Sequence, residues 1–204
     1  MKETSFVYHD KRGFSMISDP YGTGDISSCG LLIASCGKGE LTMKRVIVIG
    51  CPGSGKTTFA EKLNNITGLP LYYLDAIWHK PDKTHIPREE FDQRLLEILA
   101  TDEWIIDGEY GRTVEMRLKE CDTVFLFDLP AEVCLQGVTN RLGKKRYEMP
   151  WIEEELDPEF EAYIKGFAND SLPRLYELIE KYGTEKQVIT FKSRKEADDF
   201  LNKI

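Results

Sequence analysis

The chain has 204 residues, enough for one sizeable core and too few for two full α/β domains. Charged residues at 30% and hydrophobic residues at 41% are ordinary for a globular protein, and no apolar run reaches the length that spans a bilayer. A net charge of −8 argues against a broad nucleic-acid surface, which needs clustered Lys and Arg, but leaves room for one nucleotide in a local basic pocket.

The opening Met1-Lys2-Glu3-Thr4-Ser5-Phe6 lacks the basic-then-apolar order of a secretory signal. Five cysteines (Cys29, Cys36, Cys51, Cys121, Cys134) form no C-x-x-C pair and lie near no histidine pair. A reduced cytoplasmic protein without structural zinc is the expectation. Residues 1–42 hold a turn-like Asp19-Pro20-Tyr21-Gly22-Thr23-Gly24 and one apolar run, Leu31-Leu32-Ile33-Ala34, with no sustained period. Two readings compete for this stretch: an extension packed loosely on the domain, or residues upstream of a natural start at Met43. The expectation is a weakly ordered N-terminal extension without catalytic residues, followed by one domain over 43–204.

That domain opens on Val46-Ile47-Val48-Ile49, whose unbroken apolar character reads as a strand buried on both faces. Gly50 to Thr57 then fits G-x-x-x-x-G-K-[ST], and Phe59, Ala60 and Leu63 start a helical pattern. The chemistry needs these residue types. Main-chain N–H groups wrap a polyphosphate only where side chains are absent, which Gly50, Gly53 and Gly55 provide. The free N–H groups at the helix start favour anions, Lys56 reaches the β and γ oxygens, and the Thr57 hydroxyl suits Mg²⁺. Nucleoside-triphosphate binding follows.

Strand and helix patterns alternate from there, the signature of a parallel sheet covered on both sides. The first helix runs to about Asn65, with Gly68 as its C′ residue. Leu71–Leu74 is read as a strand ending in Asp75. Pro87 opens a helix with Phe91, Leu95, Ile98 and Leu99 on one face. Trp104–Ile106 is a strand ending in Asp107-Gly108, and a short helix covers roughly 112–120. Thr123–Phe127 is a strand ending at Asp128, and Pro130 starts the next helix. Residues 141–157 break the alternation with mixed charge and read as a mobile cover. Helices at about 158–168 and 171–182, a strand at 187–191 and a closing helix with Ala197, Phe200 and Leu201 complete the chain.

Ligands of open α/β sheets bind at the carboxyl ends of strands, which selects Asp75, Asp107 and Asp128. Asp75 could accept a proton from a substrate hydroxyl or orient it, or simply cap a turn. Asp107 could hold Mg²⁺ water beside Gly108, where backbone approaches substrate. Asp128 is explained equally well as a cap before Pro130. Transfer of a phosphoryl group needs cations around its oxygens, and Lys56, Arg112, Arg141 and Arg174 are the candidates. Arg94 and Arg117 read as solvated helix faces, Lys144, Lys145 and Arg146 as a solvated loop, and His9, His79 and His85 as surface or packing residues.

Asp107-Gly108-Glu109-Tyr110-Gly111-Arg112-Thr113 resembles the Asp-Gly-Phe-Pro-Arg-Thr segment of the adenylate-kinase-related branch of P-loop kinases, with one residue added. Leu74-Asp75-Ala76-Ile77-Trp78, Ile105-Ile106-Asp107-Gly108-Glu109-Tyr110 and Asp122-Thr123-Val124-Phe125-Leu126-Phe127-Asp128-Leu129-Pro130 are similar to the bacterial topology modulation proteins. The resemblance covers about 43–204. It implies a P-loop NTPase fold, an α/β/α sandwich with a five-stranded parallel sheet, an ATP site, a second phosphate-acceptor site and a helical lid over about 141–157. Carried over by motif, Gly50, Pro52, Gly53, Ser54, Gly55, Lys56, Thr57 and Thr58 would bind ATP phosphates and Mg²⁺. Asp75 would face the acceptor, Arg112 would bridge donor and acceptor phosphates, and Arg141 would contact phosphate from the base of the lid. Lys192-Ser193-Arg194 would lie against adenine. Where related chains carry an arginine four residues before the Arg141 position, this one has Gly137, a departure at a residue that helps hold the adenine ring.

The expected activity is ATP- and Mg²⁺-dependent transfer of the γ-phosphoryl group to a small acceptor, a nucleoside monophosphate in the first instance. Its rivals are a kinase of the gluconate or shikimate kind and an ATP-binding regulator with negligible turnover. Neither a membrane nor a direct nucleic-acid partner is expected, and monomer and dimer are left open.

Overall fold

Five strands, β3 (Arg45–Gly50), β4 (Leu71–Tyr73), β5 (Trp104–Asp107), β6 (Thr123–Phe127) and β7 (Gln187–Phe191), form one parallel sheet in the order β4-β5-β3-β6-β7 in the computed structural model, which describes residues 7–9, 15–17 and 43–204. The chain divides into two units, Met1–Glu40 and Leu41–Ile204. In the first, β1 (Val7–His9) and β2 (Ser15–Ile17) pair antiparallel with Val7 opposite Ile17. The turn-like segment at 19–24, the apolar run at 31–34, Cys29 and Cys36 lie outside the described residues, so the expected weak order there is left as an expectation.

In the second unit β3 (Arg45–Gly50) takes the centre of the sheet, and Val46, Ile47, Val48 and Ile49 are completely buried. Helices cover both faces, so the side chains of Val46 to Ile49 all meet protein and none needs to be polar. The loop 51–55 leads into α1 (Lys56–Thr67), which stops at Gly68. Gly68 takes φ 74° and donates to the Asn64 carbonyl at 2.8 Å, the left-handed cap expected at this position. Phe59 of α1 meets Phe125 and Phe127 of β6 (Thr123–Phe127) edge-on, and Phe191 of β7 (Gln187–Phe191) packs into the same cluster. Phe200 of α8 (Arg194–Leu201) closes it, fixing both helices on one face of the sheet.

The remaining elements are β4 (Leu71–Tyr73), α2 (Leu74–Trp78), α3 (Arg88–Leu99), β5 (Trp104–Asp107), a 3-10 turn at Gly111–Thr113, α4 (Val114–Glu120), α5 (Ala131–Thr139), α6 (Pro158–Asp170) and α7 (Leu172–Tyr182). Two differ from the sequence reading. The second strand ends at Tyr73, and Leu74 and Asp75 begin a short helix. Tyr73 pairs with Asp107, where β5 itself ends, so no ladder remains to extend the strand. Residues 141–157 contain turns and irregular backbone but no helix. The Gly143 N–H donates to the Glu153 carbonyl at 2.8 Å and draws the segment into a loop, and α6 starts at Pro158 with Asp157 as its side-chain cap. Among the described residues, no helix is long and apolar enough to cross a membrane.

Candidate active site

The register of the parallel sheet places Tyr73, Asp107, Gly50 and Phe127 toward one carboxyl edge, and a cavity of about 1290 Å³ opens there. One end is the loop after β3. A Cβ on Gly50 would lie 2.3 Å from the Phe127 carbonyl oxygen, and one on Gly53 would lie 2.2 Å from that of Cys134. Both residues have positive φ, so the turn and the close approach demand glycine together. Lys56 folds back over the loop and donates to the Cys51 carbonyl at 2.8 Å. Burial holds its ammonium below the usual lysine range, although Asp107 nearby opposes the shift.

Thr57 Oγ1 donates to Asp107 Oδ2 at 2.7 Å. Asp107 is 5% exposed, and its second oxygen is buried with no hydrogen-bond partner among the described residues. Burial raises this carboxyl to about 6, against the pull of Lys56 and Thr57. A hydroxyl beside a carboxylate with one oxygen unspent is a fitting donor set for a hard divalent cation such as Mg²⁺.

The opposite wall is built on the segment after β5. Gly108 takes φ 139°, and a Cβ there would press within 2.9 Å of the Leu74 Cβ. Tyr110, unusually for a non-glycine residue, has φ 35°. Its hydroxyl donates to Asp75 Oδ1 at 2.8 Å, and its ring stacks on Phe91 with centroids 5.2 Å apart. Arg117 holds this backbone in place. It is completely buried and donates to the carbonyls of Gly108 at 2.7 Å, of Glu109 and of Tyr110. Glu109 Oε2 in turn accepts from the Gly111 N–H and the Tyr163 hydroxyl, each at 3.2 Å.

The insert covers the cavity with Arg141, Arg146 and Trp151. Arg146 bridges Glu148 at 2.8 Å and Glu153 at 2.7 Å, whereas Arg141 Nε lies 3.5 Å from Glu153 and makes no hydrogen bond. Trp151 meets His79 edge-on at 5.0 Å.

No protein-family model matches the chain. Adenylate kinases of Thermotoga petrophila and Thermotoga maritima are each 31% identical to it over 88 residues, 42% of this chain and 39% of theirs. The chain thus spans well under half the length of these curated relatives. Among solved structures, shikimate kinase from Acinetobacter baumannii in complex with shikimate superposes with a TM-score of 0.52 at 18% identity, over 79% of this chain and 92% of that one. Shikimate kinase from Bacteroides thetaiotaomicron gives 0.50 at 14% identity, over 79% and 96%. This is the P-loop kinase fold.

The P-loop kinase fold brings Pro52, Gly53, Gly55, Lys56, Thr57, Thr58, Asp75, Asp107, Gly108, Arg141 and Arg194 to one cavity. Ser54 is buried beneath the loop with its hydroxyl unpaired. Gly50 likewise belongs to the loop without lining the cavity, and four further expected site residues stay outside. Arg112 turns away and forms a two-pronged pair with Asp92 on α3, both bonds 2.7 Å. Arg174 is exposed on α7. Lys192 pairs with Asp128, and Ser193 caps α8 by accepting from the Glu196 N–H at 3.2 Å. Asp128 therefore serves Lys192 and Tyr176 rather than the helix start before Pro130.

Arg117, read as solvated, is a correction, and the periodicity held the signal. Val114, Arg117, Leu118 and Cys121 follow i, i+3, i+4, i+7 and are all buried, so the arginine lies on the apolar stripe. Arg146, also read as solvated, has a side chain only 14% exposed because it is tied to Glu148 and Glu153. His85 does pack as expected, stacked on Trp78 at 4.3 Å.

Proposed function

We propose that the chain is an ATP-dependent phosphotransferase that moves the γ-phosphoryl group to a small acceptor. The supporting observation is convergence: the glycine loop with Lys56, the Thr57–Asp107 pair and Arg141 share one cavity with Asp75 on the far wall. The loop N–H groups hold the polyphosphate, and Lys56 balances charge on its terminal oxygens. Thr57 and Asp107 would hold Mg²⁺, which when bound neutralises charge that develops on the phosphate oxygens. Asp75 orients the acceptor hydroxyl and takes its proton, while Tyr110 holds the carboxylate in position. Arg141 faces the transferred group from the cover, and the cover itself keeps out water, the competing acceptor.

A nucleoside monophosphate as acceptor depends on Arg112 to bridge the two phosphates. Its pairing with Asp92 outside the cavity favours the second reading, a small hydroxylated metabolite that carries no phosphate. ADP formation across nucleoside monophosphates, sugar acids, sugars and amino alcohols tests both. Turnover with at least one acceptor, lost in Lys56→Met, is the expected result. An inert panel with tight ATP binding retained would instead favour a nucleotide-sensing regulator.

A further inference from the structure

An acceptor that carries phosphate or carboxylate must find cations not already used. Among the described residues around the far wall, the guanidinium groups are spent. Arg112 is outside with Asp92, Arg117 is buried on three carbonyls, and Arg146 lies between Glu148 and Glu153. Arg141 keeps N–H capacity, but a phosphotransferase needs that for the group in transit. Lys83 and Lys145 line the rim as exposed ammonium groups, which water and salt screen strongly.

Negative charge is what the wall has to offer. Asp75 gives Oδ1 to the Tyr110 hydroxyl, and its Oδ2 takes no donor among the described residues. Glu109 uses Oε2 for Gly111 and Tyr163, and its Oε1 likewise takes no donor there. Aromatic side chains share the cavity: Trp151, Phe160 and Tyr163 line it, and the Tyr163 hydroxyl donates to Glu109 itself. Carboxylates beside aromatic rings attract an organic ammonium group by ion pairing and by the negative face of the ring.

From this arrangement we infer that the acceptor is a hydroxylated organic cation, an amino alcohol or amino sugar, recognised by Glu109 and the aromatic residues that line the cavity with it, while Asp75 addresses its hydroxyl. This rests on the phosphotransferase reading above. In the step, the hydroxyl oxygen forms a bond to the γ-phosphorus as the bond to the ADP oxygen breaks. The hydroxyl proton passes to Asp75 and then to solvent, and the amine stays protonated throughout.

The test compares skeleton-matched acceptors with the full chain, ATP and Mg²⁺. One set is glucosamine, glucose and gluconate; the other is ethanolamine, ethylene glycol and glycolate; AMP and shikimate serve as further anions. In at least one set the amine should exceed its neutral and acidic partners in kcat/KM by about tenfold or more. Glu109→Gln should cut that preference to about threefold or less, with ATP affinity by calorimetry as the folding control. Highest turnover with AMP, shikimate, gluconate or glycolate overturns the inference, and so does an inactive amine class. Loss of ATP binding by the folded wild-type chain would defeat the phosphotransferase reading itself, whereas retained ATP binding with an anionic acceptor defeats this inference alone.

Discussion

A Cβ on Gly137 would lie 2.5 Å from Nη2 of Arg194 and 2.1 Å from the Gly53 carbonyl oxygen. Helix α5 and the phosphate loop come together at that point, with the arginine against both. Arg194 donates to the carbonyls of Gly53 at 2.8 Å, Val133 at 3.1 Å and Ser54 at 3.2 Å, so it ties loop and helix together. Gly137 thus supplies the space the clasp requires.

Gly137→Ala should weaken ATP binding and lower stability by about 1–3 kcal/mol, the usual cost of overpacking. In an open helix the same change would stabilise, since alanine is the better helix former, so the sign distinguishes steric exclusion from propensity. Calorimetric ATP titration and thermal unfolding measure it. Unchanged affinity together with a raised Tm would show that the loop yields freely.

Arg112 and Arg117 should behave in opposite ways. Removing an exposed pair costs about 0–1 kcal/mol, so Arg112→Ala should leave stability and kcat/KM nearly as they are, within about threefold. Arg117→Met strands three part-buried carbonyls beside a fully buried side chain and should cost about 3 kcal/mol in denaturant unfolding, with loss of turnover as Glu109 and Tyr110 shift. A hundredfold drop in turnover for Arg112→Ala at unchanged stability would restore its role as a phosphate bridge.

Asp107 makes stability depend on pH. Its carboxyl titrates near 6 when folded, above the ordinary value near 4, so the native state holds its proton more tightly than the unfolded chain. This contribution is fully present below about pH 4 and is lost as pH rises through 6. At pH 7 and above the loss amounts to about 3 kcal/mol. Asp107→Asn keeps an acceptor for Thr57 without the buried charge. Its Tm advantage over wild type should therefore grow between about pH 4 and 7 and then level off. Added Mg²⁺ should stabilise wild type and leave the variant unmoved. A difference that stays flat with pH would mean that Asp107 is not the titrating group.

Lys56→Met should reduce ADP formation by about a hundredfold to a thousandfold, on the scale of removing one preorganised electrostatic contact. The buried ammonium already titrates below its usual range, so its replacement should not lower Tm. Loss of folding would place Lys56 in the structure of the loop rather than in its chemistry, while turnover at the wild-type level would remove the proposed mechanism.

Local pattern made much of the fold legible. Val46–Ile49 reads as a doubly buried strand from its four residues alone, and Gly50-to-Thr57 declares the loop, because strand period, turn freedom and helix start are all set within a few positions. The helix stop at Gly68 is equally local. The far wall was not legible in this way. Arg112, in the 3-10 turn ahead of α4, faces away because it pairs with Asp92 on α3, and Asp75 lies on a helical turn only because β5 ends where it does. Glu109 points to no ligand until Arg117 has taken the carbonyls around it. Amino-acid order by itself determined the phosphate loop, the central strand and most of the other strands and helices, since each arises from interactions between near neighbours. Only the tertiary structure decided which cations remain for a second ligand, because that follows from pairings between residues distant in the chain.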